Sequence, residues 1–176
     1  MRVGDGGGVR NCEQIRVERG DRIIEDSGVL ALGRKKALLA IGVGGLAGGS
    51  LDLTQACILF GWDIPLSIAG GLLGPRAFHG GAGIYVLGVL LHFFIAFCFA
   101  AFYYALSRRL TFLREHWLVC GLVYGAAIEQ VMSLVVLPLS ALHAGGPYEL
   151  HDLIQGLLVH MVVMGLPIAF SVRRFA

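Results

Sequence analysis

Asp52, His92, Glu129 and His160 are the residues of this chain whose types and placing could do chemistry. Each lies within a run apolar enough to cross a bilayer, where an ionisable side chain is costly and marks a functional site by default. Carboxylates and imidazoles are also the side chains best suited to passing protons. The four occur in a repeated order. Gly44, Gly48, Asp52 and Ala56 follow one another at a spacing of four, as do Gly121, Gly125, Glu129 and Ser133. Gly88 stands four residues before His92, and Gly156 four before His160. An acidic arm is thus followed by a histidine arm in each half of the chain.

On a helix, a spacing of four keeps residues on one face. Small residues on that face let helices approach closely, so Asp52 and Glu129 are expected to point into a bundle. A rise of about 1.5 Å per residue places His92 and Asp52 about 12 Å, His160 about 14 Å and Glu129 about 15 Å below the outer surface. One buried polar layer follows, with Gln55, Gln130 and Gln155 in reach. Three uses of it are open. Asp52 with His92, and Glu129 with His160, could be structural pairs that hold helix register. The layer could carry protons or a small solute. Alternatively, His92 and His160 could ligate a haem b, with the neighbouring glycines leaving room for the ring, or hold a metal with the two carboxylates. No HxxxH or ExxH pattern supports the last use. No nucleophile elbow, P-loop or HExxH is present, so an enzyme is not expected.

The elements that must position these residues are membrane spans. The chain has 176 residues, 56% of them hydrophobic, and a mean hydropathy of +0.75, which excludes an ordinary soluble domain. Four runs, about 37–60, 84–106, 117–139 and 151–172, are long enough to span as helices. The fold class expected is all-α, a four-helix transmembrane bundle of two tandem hairpins related by a pseudo-two-fold axis along the membrane normal. A net charge of +2 leaves no footprint for nucleic acid. Basic residues gather at 34–36, 108–114 and 173–174, and Arg76 alone lies opposite. The positive-inside rule then puts both termini in the cytoplasm.

Residues 1–33 are charged and carry a triple glycine, and read as a disordered cytoplasmic tail. A second reading takes them as no native part of the protein, with Val29 as the start. The first outer loop holds Pro65, Ile68, Ala69, Leu72 and Leu73 before Gly74-Pro75. It reads as a short amphipathic helix on the membrane surface, with a re-entrant segment as the alternative. Cys57, Cys98 and Cys120 lie in spans without a CxxC and read as small apolar fillers.

Several stretches are familiar: GGLAGGSLDL (44–53), SIAGGLLGPRAFHGG (67–81), LHFFIAFCFAAFYY (91–104), LVVLPLSAL (134–142) and GLLVHMVVMGLPIA (156–169). Through them the chain resembles a group of small bacterial hypothetical membrane proteins with four spans. It is distantly similar to the YagU-type inner-membrane family through 91–104 and 121–138. The resemblance implies a bacterial inner-membrane location and no defined activity. The partner expected is the lipid bilayer. A second copy of the chain, or a larger membrane complex to which this would be an accessory subunit, is compatible with it.

Overall fold

A computed structural model describes the backbone of residues 7–143 and 150–176, and side chains from residue 30 onward except within 144–149 and at Asp152. The described residues are all-helical. Four helices are long and apolar enough to cross a membrane: Leu30–Phe60, Ala82–Ser107, Trp117–Leu139 and Leu153–Phe175. They overlie the four runs read from the sequence. Leu38, Leu46, Ile58, Phe94, Phe102 and Leu134 are exposed along them, while Ala40, Ala96, Ala100 and Ala169 are buried. A water-soluble bundle buries its large apolar stripe. Small residues at the contacts and large ones outside are what helices packed in lipid show. By length and composition the four helices are consistent with an integral membrane protein.

Helix α1 runs Gly7–Phe60. The chain divides into two units, Met1–Lys36 and Ala37–Ala176, and the bundle is the second. Over residues 7–33 the backbone is helical. No proline interrupts this stretch, and Arg, Glu, Ile and Leu support a helix. Residues 1–6 lie outside the described residues. Helix α1 stops at Gly61, whose φ of 99° needs a glycine; its N–H donates to the Cys57 carbonyl at 3.0 Å.

Helix α2, Ile64–Leu73, starts with Pro65 in its first turn and ends at Gly74, φ 70°, before a 3₁₀ turn, Gly74–His79. Ser67 is its single polar residue, so it has no polar face, and Pro65, Ala69 and Gly70 are buried. It presses on α3, Ala82–Ser107, at Gly88, where a Cβ would collide with the Pro65 carbonyl. Gly88 is about 9 Å along α3 at 1.5 Å per residue, so α2 is sunk beside the bundle. The Ala141 N–H ties the second loop to α2 through the Gly71 carbonyl, at 2.8 Å.

A one-turn helix, α4 (Phe112–Glu115), leads into the third span. That span comprises α5 (Trp117–Val131), a π-helical segment (Met132–Val136) and α6 (Leu137–Leu139). The fourth runs through α7 (Leu150–Val159), a second π segment (His160–Gly165) and α8 (Leu166–Phe175). Both π segments have the same cause. Pro138 and Pro167 lack the N–H that the carbonyls four residues back, on Leu134 and Val163, would accept. Each of those carbonyls lies inside a π segment, where the wider turn relieves the clash with the proline ring.

Both glycine stripes pack on the fourth span. Gly44 faces Ile168 and Ser171, and Gly48 faces Met164; Gly121 faces Gly165 and Ala169, and Gly125 faces His160 and Met161. The two halves are therefore not equivalent in their contacts. The 121/125 stripe meets its own hairpin partner, whereas the 44/48 stripe meets a helix of the other hairpin. The second span is met instead by Gly45 and Gly49, through Phe93, Ala96 and Phe97. Spans two and three are joined near their arginine-rich ends by Tyr124, whose hydroxyl donates to the Phe99 carbonyl at 2.7 Å.

One bond clasps the first span to the fourth. The buried Ser171 hydroxyl donates to the Ala40 carbonyl at 2.8 Å. Ser171→Ala is expected to lower bundle stability by about 1 kcal/mol, measured by equilibrium unfolding in bicelles. Wild-type stability in that variant would show that the clasp contributes nothing.

Candidate functional site

The four ionisable residues come together, one from each span. Two ladders of contacts lead to them. From the arginine-rich end, Gly44 packs on Ser171 and Gly48 on Met164, and one turn further Asp52 meets His160. On the other flank Gly121 packs on Gly165 and Gly125 on His160 and Met161, and one turn further Glu129 meets His160. Antiparallel helices with a repeat of four stay in register over three turns, so both carboxylates arrive at the same imidazole.

His160 Nδ1 is 2.9 Å from Glu129 Oε2 and 2.9 Å from the Gly156 carbonyl. A carbonyl only accepts, so Nδ1 carries the hydrogen and donates to both. That leaves Nε2, 3.8 Å from Asp52 Oδ1. The second oxygen of Glu129, Oε1, accepts from the Ser133 hydroxyl at 2.7 Å. Gly156 has its own part here. A Cβ added there would stand 3.0 Å from Glu129 Oε1, so the missing side chain makes room for the carboxylate. Gly88, its counterpart in the sequence repeat, makes room for α2 instead.

His92 lies beside Asp52 and also reaches a backbone carbonyl. Its Nε2 donates to the Gly49 carbonyl at 2.8 Å and lies 4.0 Å from Asp52 Oδ2. The glycine face at 45 and 49 lets α3 come close enough for an imidazole to reach the backbone of α1. Asp52 therefore stands between two imidazoles, slightly too far from either for a direct hydrogen bond. Such gaps suit a bridging water or ligand group.

There is space for one. A cavity of about 180 Å³ is lined by Asp52, His92 and His160, with Ile64 and Ile68 of α2 along one wall and Met164 and Ile128 among the others. Several waters fit that volume. Gln130 is exposed, and Gln55 and Gln155 line separate grooves, so none of the three joins the cavity. Gly49 and Gly165 are contributors that sequence reasoning missed. The doubled glycines at 44–45 and 48–49 were the available signal for Gly49, since the second member of each pair makes a second face about 100° around the helix.

The centre is electrically lopsided when it holds few protons. Two carboxylates and two neutral imidazoles sum to two negative charges, and burial in an apolar surround favours neutrality. Two added protons, or one proton and one other cation, restore it.

In this arrangement His92 Nε2 is engaged by a backbone carbonyl and His160 Nε2 faces Asp52. Among the described residues no group of three or more His, Cys, Asp or Glu side chains has the geometry to hold a metal ion. No family model matches the chain, and no curated protein or solved structure matches it, so its chemistry is read from this centre alone.

Proposed function

We propose that the protein handles protons within the bilayer, moving protons or a small solute coupled to them, through Asp52, His160 and Glu129. The observation that carries this reading is the His160 imidazole, which has a carboxylate at each ring nitrogen, at 2.9 Å and 3.8 Å, from two other helices. An imidazole so placed can take a proton at one nitrogen and yield one at the other. Here Asp52 lies against a cavity and makes no direct bond to either imidazole. We assign no enzymatic reaction to the chain. The distribution of Arg and Lys, with the resemblance to bacterial four-span proteins, supports an inner-membrane location with both termini in the cytoplasm.

The test is proton flux into liposomes loaded with a pH-sensitive dye, driven by a potassium diffusion potential. Wild-type protein is expected to raise the rate at least about tenfold over empty liposomes, a modest demand on a relay of positioned proton carriers. Asp52→Asn, Glu129→Gln and His160→Gln, each shown to be folded by size exclusion, are expected to return it to background. Flux unchanged in all three variants would sink the proposal. So would a wild-type rate equal to that of empty liposomes, and it would return the centre to a register-holding role.

A further inference from the structure

A second space adjoins the polar cavity. A groove of about 390 Å³ runs between α2, α3 and the third span, and its lining includes Leu72, Leu91, Val135 and Val136. Ile68, Ile95 and Met132 line both this groove and the polar cavity. They form a partition of apolar side chains, two isoleucines that are stiff at χ1 and Met132, which is unbranched and able to change rotamer. The groove wall on the third span is the π segment Met132–Val136, a kind of turn frequent at functional sites. The groove is almost wholly apolar, and the spans that border it carry exposed Leu90, Phe94 and Leu134. It therefore opens toward lipid.

The polar end of this path has a definite chemistry. Its hydrogen-bond donors are already used: His92 Nε2–H on the Gly49 carbonyl, and His160 Nδ1–H on Glu129 and Gly156. Asp52 and His160 Nε2 remain, and both accept. Charge points the same way, because one proton and one monovalent cation make the centre neutral. We propose that the cavity and groove together bind a lipophilic primary amine in its ammonium form. The ammonium donates to Asp52 and His160 Nε2, and the alkyl chain lies in the groove after entry sideways from the membrane. The amine takes the place of one proton of the centre, which leaves as the amine enters.

This inference rests on the proton-handling reading, and its test separates the two. Protein in lipid nanodiscs is titrated with radiolabelled decylamine, with uptake by empty nanodiscs subtracted, in weak buffer containing a pH indicator. Saturable binding with release of a proton per amine is expected. Decyltrimethylammonium, a cation of the same chain length without N–H donors, and decanol, a donor without charge, are expected to bind at least about tenfold more weakly. Asp52→Asn is expected to abolish binding at the polar end, and Val136→Trp, which fills the groove, to abolish it at the other. Equal uptake by wild type and both variants would mean partition into lipid only and would overturn the proposal. Equal affinity for the three probes would overturn it too, as a site for annular lipid or detergent. Loss of decylamine binding with Asp52-dependent proton flux intact would end the amine assignment and leave the proton reading standing. Saturable, Asp52-dependent binding without any flux would keep the amine site and end translocation.

Discussion

Replacing Gly125 with leucine is expected to stop the bundle from assembling. A side chain there has no open direction, because even a Cβ would run into the His160 carbonyl and Met161 Cα. Both obstacles are backbone, so no rotamer change relieves them. Ordinary overpacking costs about 1–3 kcal/mol, and a clash with backbone at this helix crossing is expected to exceed about 3 kcal/mol. The third and fourth spans would have to separate, and Glu129 would leave His160. Gly42→Leu is the matched control, since nothing lies within 4 Å of a Cβ at that position. It is expected to be neutral, or stabilising by up to about 1 kcal/mol because glycine is the poorer helix former. Steric-trapping unfolding in bicelles compares the two directly. Equal stability of both variants would show that the third and fourth spans do not pack as described.

Removing the shared imidazole is the second large effect. His160→Ala leaves Glu129 with only Ser133 as a partner and Asp52 beside a larger cavity. Taking one partner from a buried charged pair costs about 3–5 kcal/mol, because the other is left uncompensated. Apolar replacement of both partners is a different matter and is often near neutral. The double variant Glu129→Met with His160→Leu is therefore expected to recover most of the lost stability. Interaction energies of neighbours are read from such cycles. That variant is also expected to show no proton flux, which separates holding the helices from moving protons. If it recovers both stability and flux, neither residue belongs to the proton path. If His160→Ala is as stable as wild type, the contacts of His160 with the carboxylates have no net strength.

The sequence by itself determined the four spans, because length and apolarity are local properties of a segment. It also placed Asp52, His92, Glu129 and His160 at a common level along their spans, because the rise of a helix converts residue count to distance. The face each residue occupies was likewise legible: the glycine stripes point Asp52 and Glu129 inward whatever lies opposite. Even the π segments had a visible cause in Pro138 and Pro167, whose missing N–H groups interrupt the helical bonding.

Which helix meets each face was decided by the tertiary structure alone. Periodicity names a face but not its partner, and in lipid the hydrophobic effect does not choose among apolar neighbours. Close packing chose instead. The 44/48 stripe met the fourth span because Met164, Ile168 and Ser171 fit it, while Gly45 and Gly49 took the rings of Phe93 and Phe97 from the second. His92 was thereby delivered to a backbone carbonyl, and His160 was placed between both carboxylates. Helix α2 sank against Gly88 for the same reason: without a polar face to keep it in water, its buried side packs where a missing Cβ leaves space.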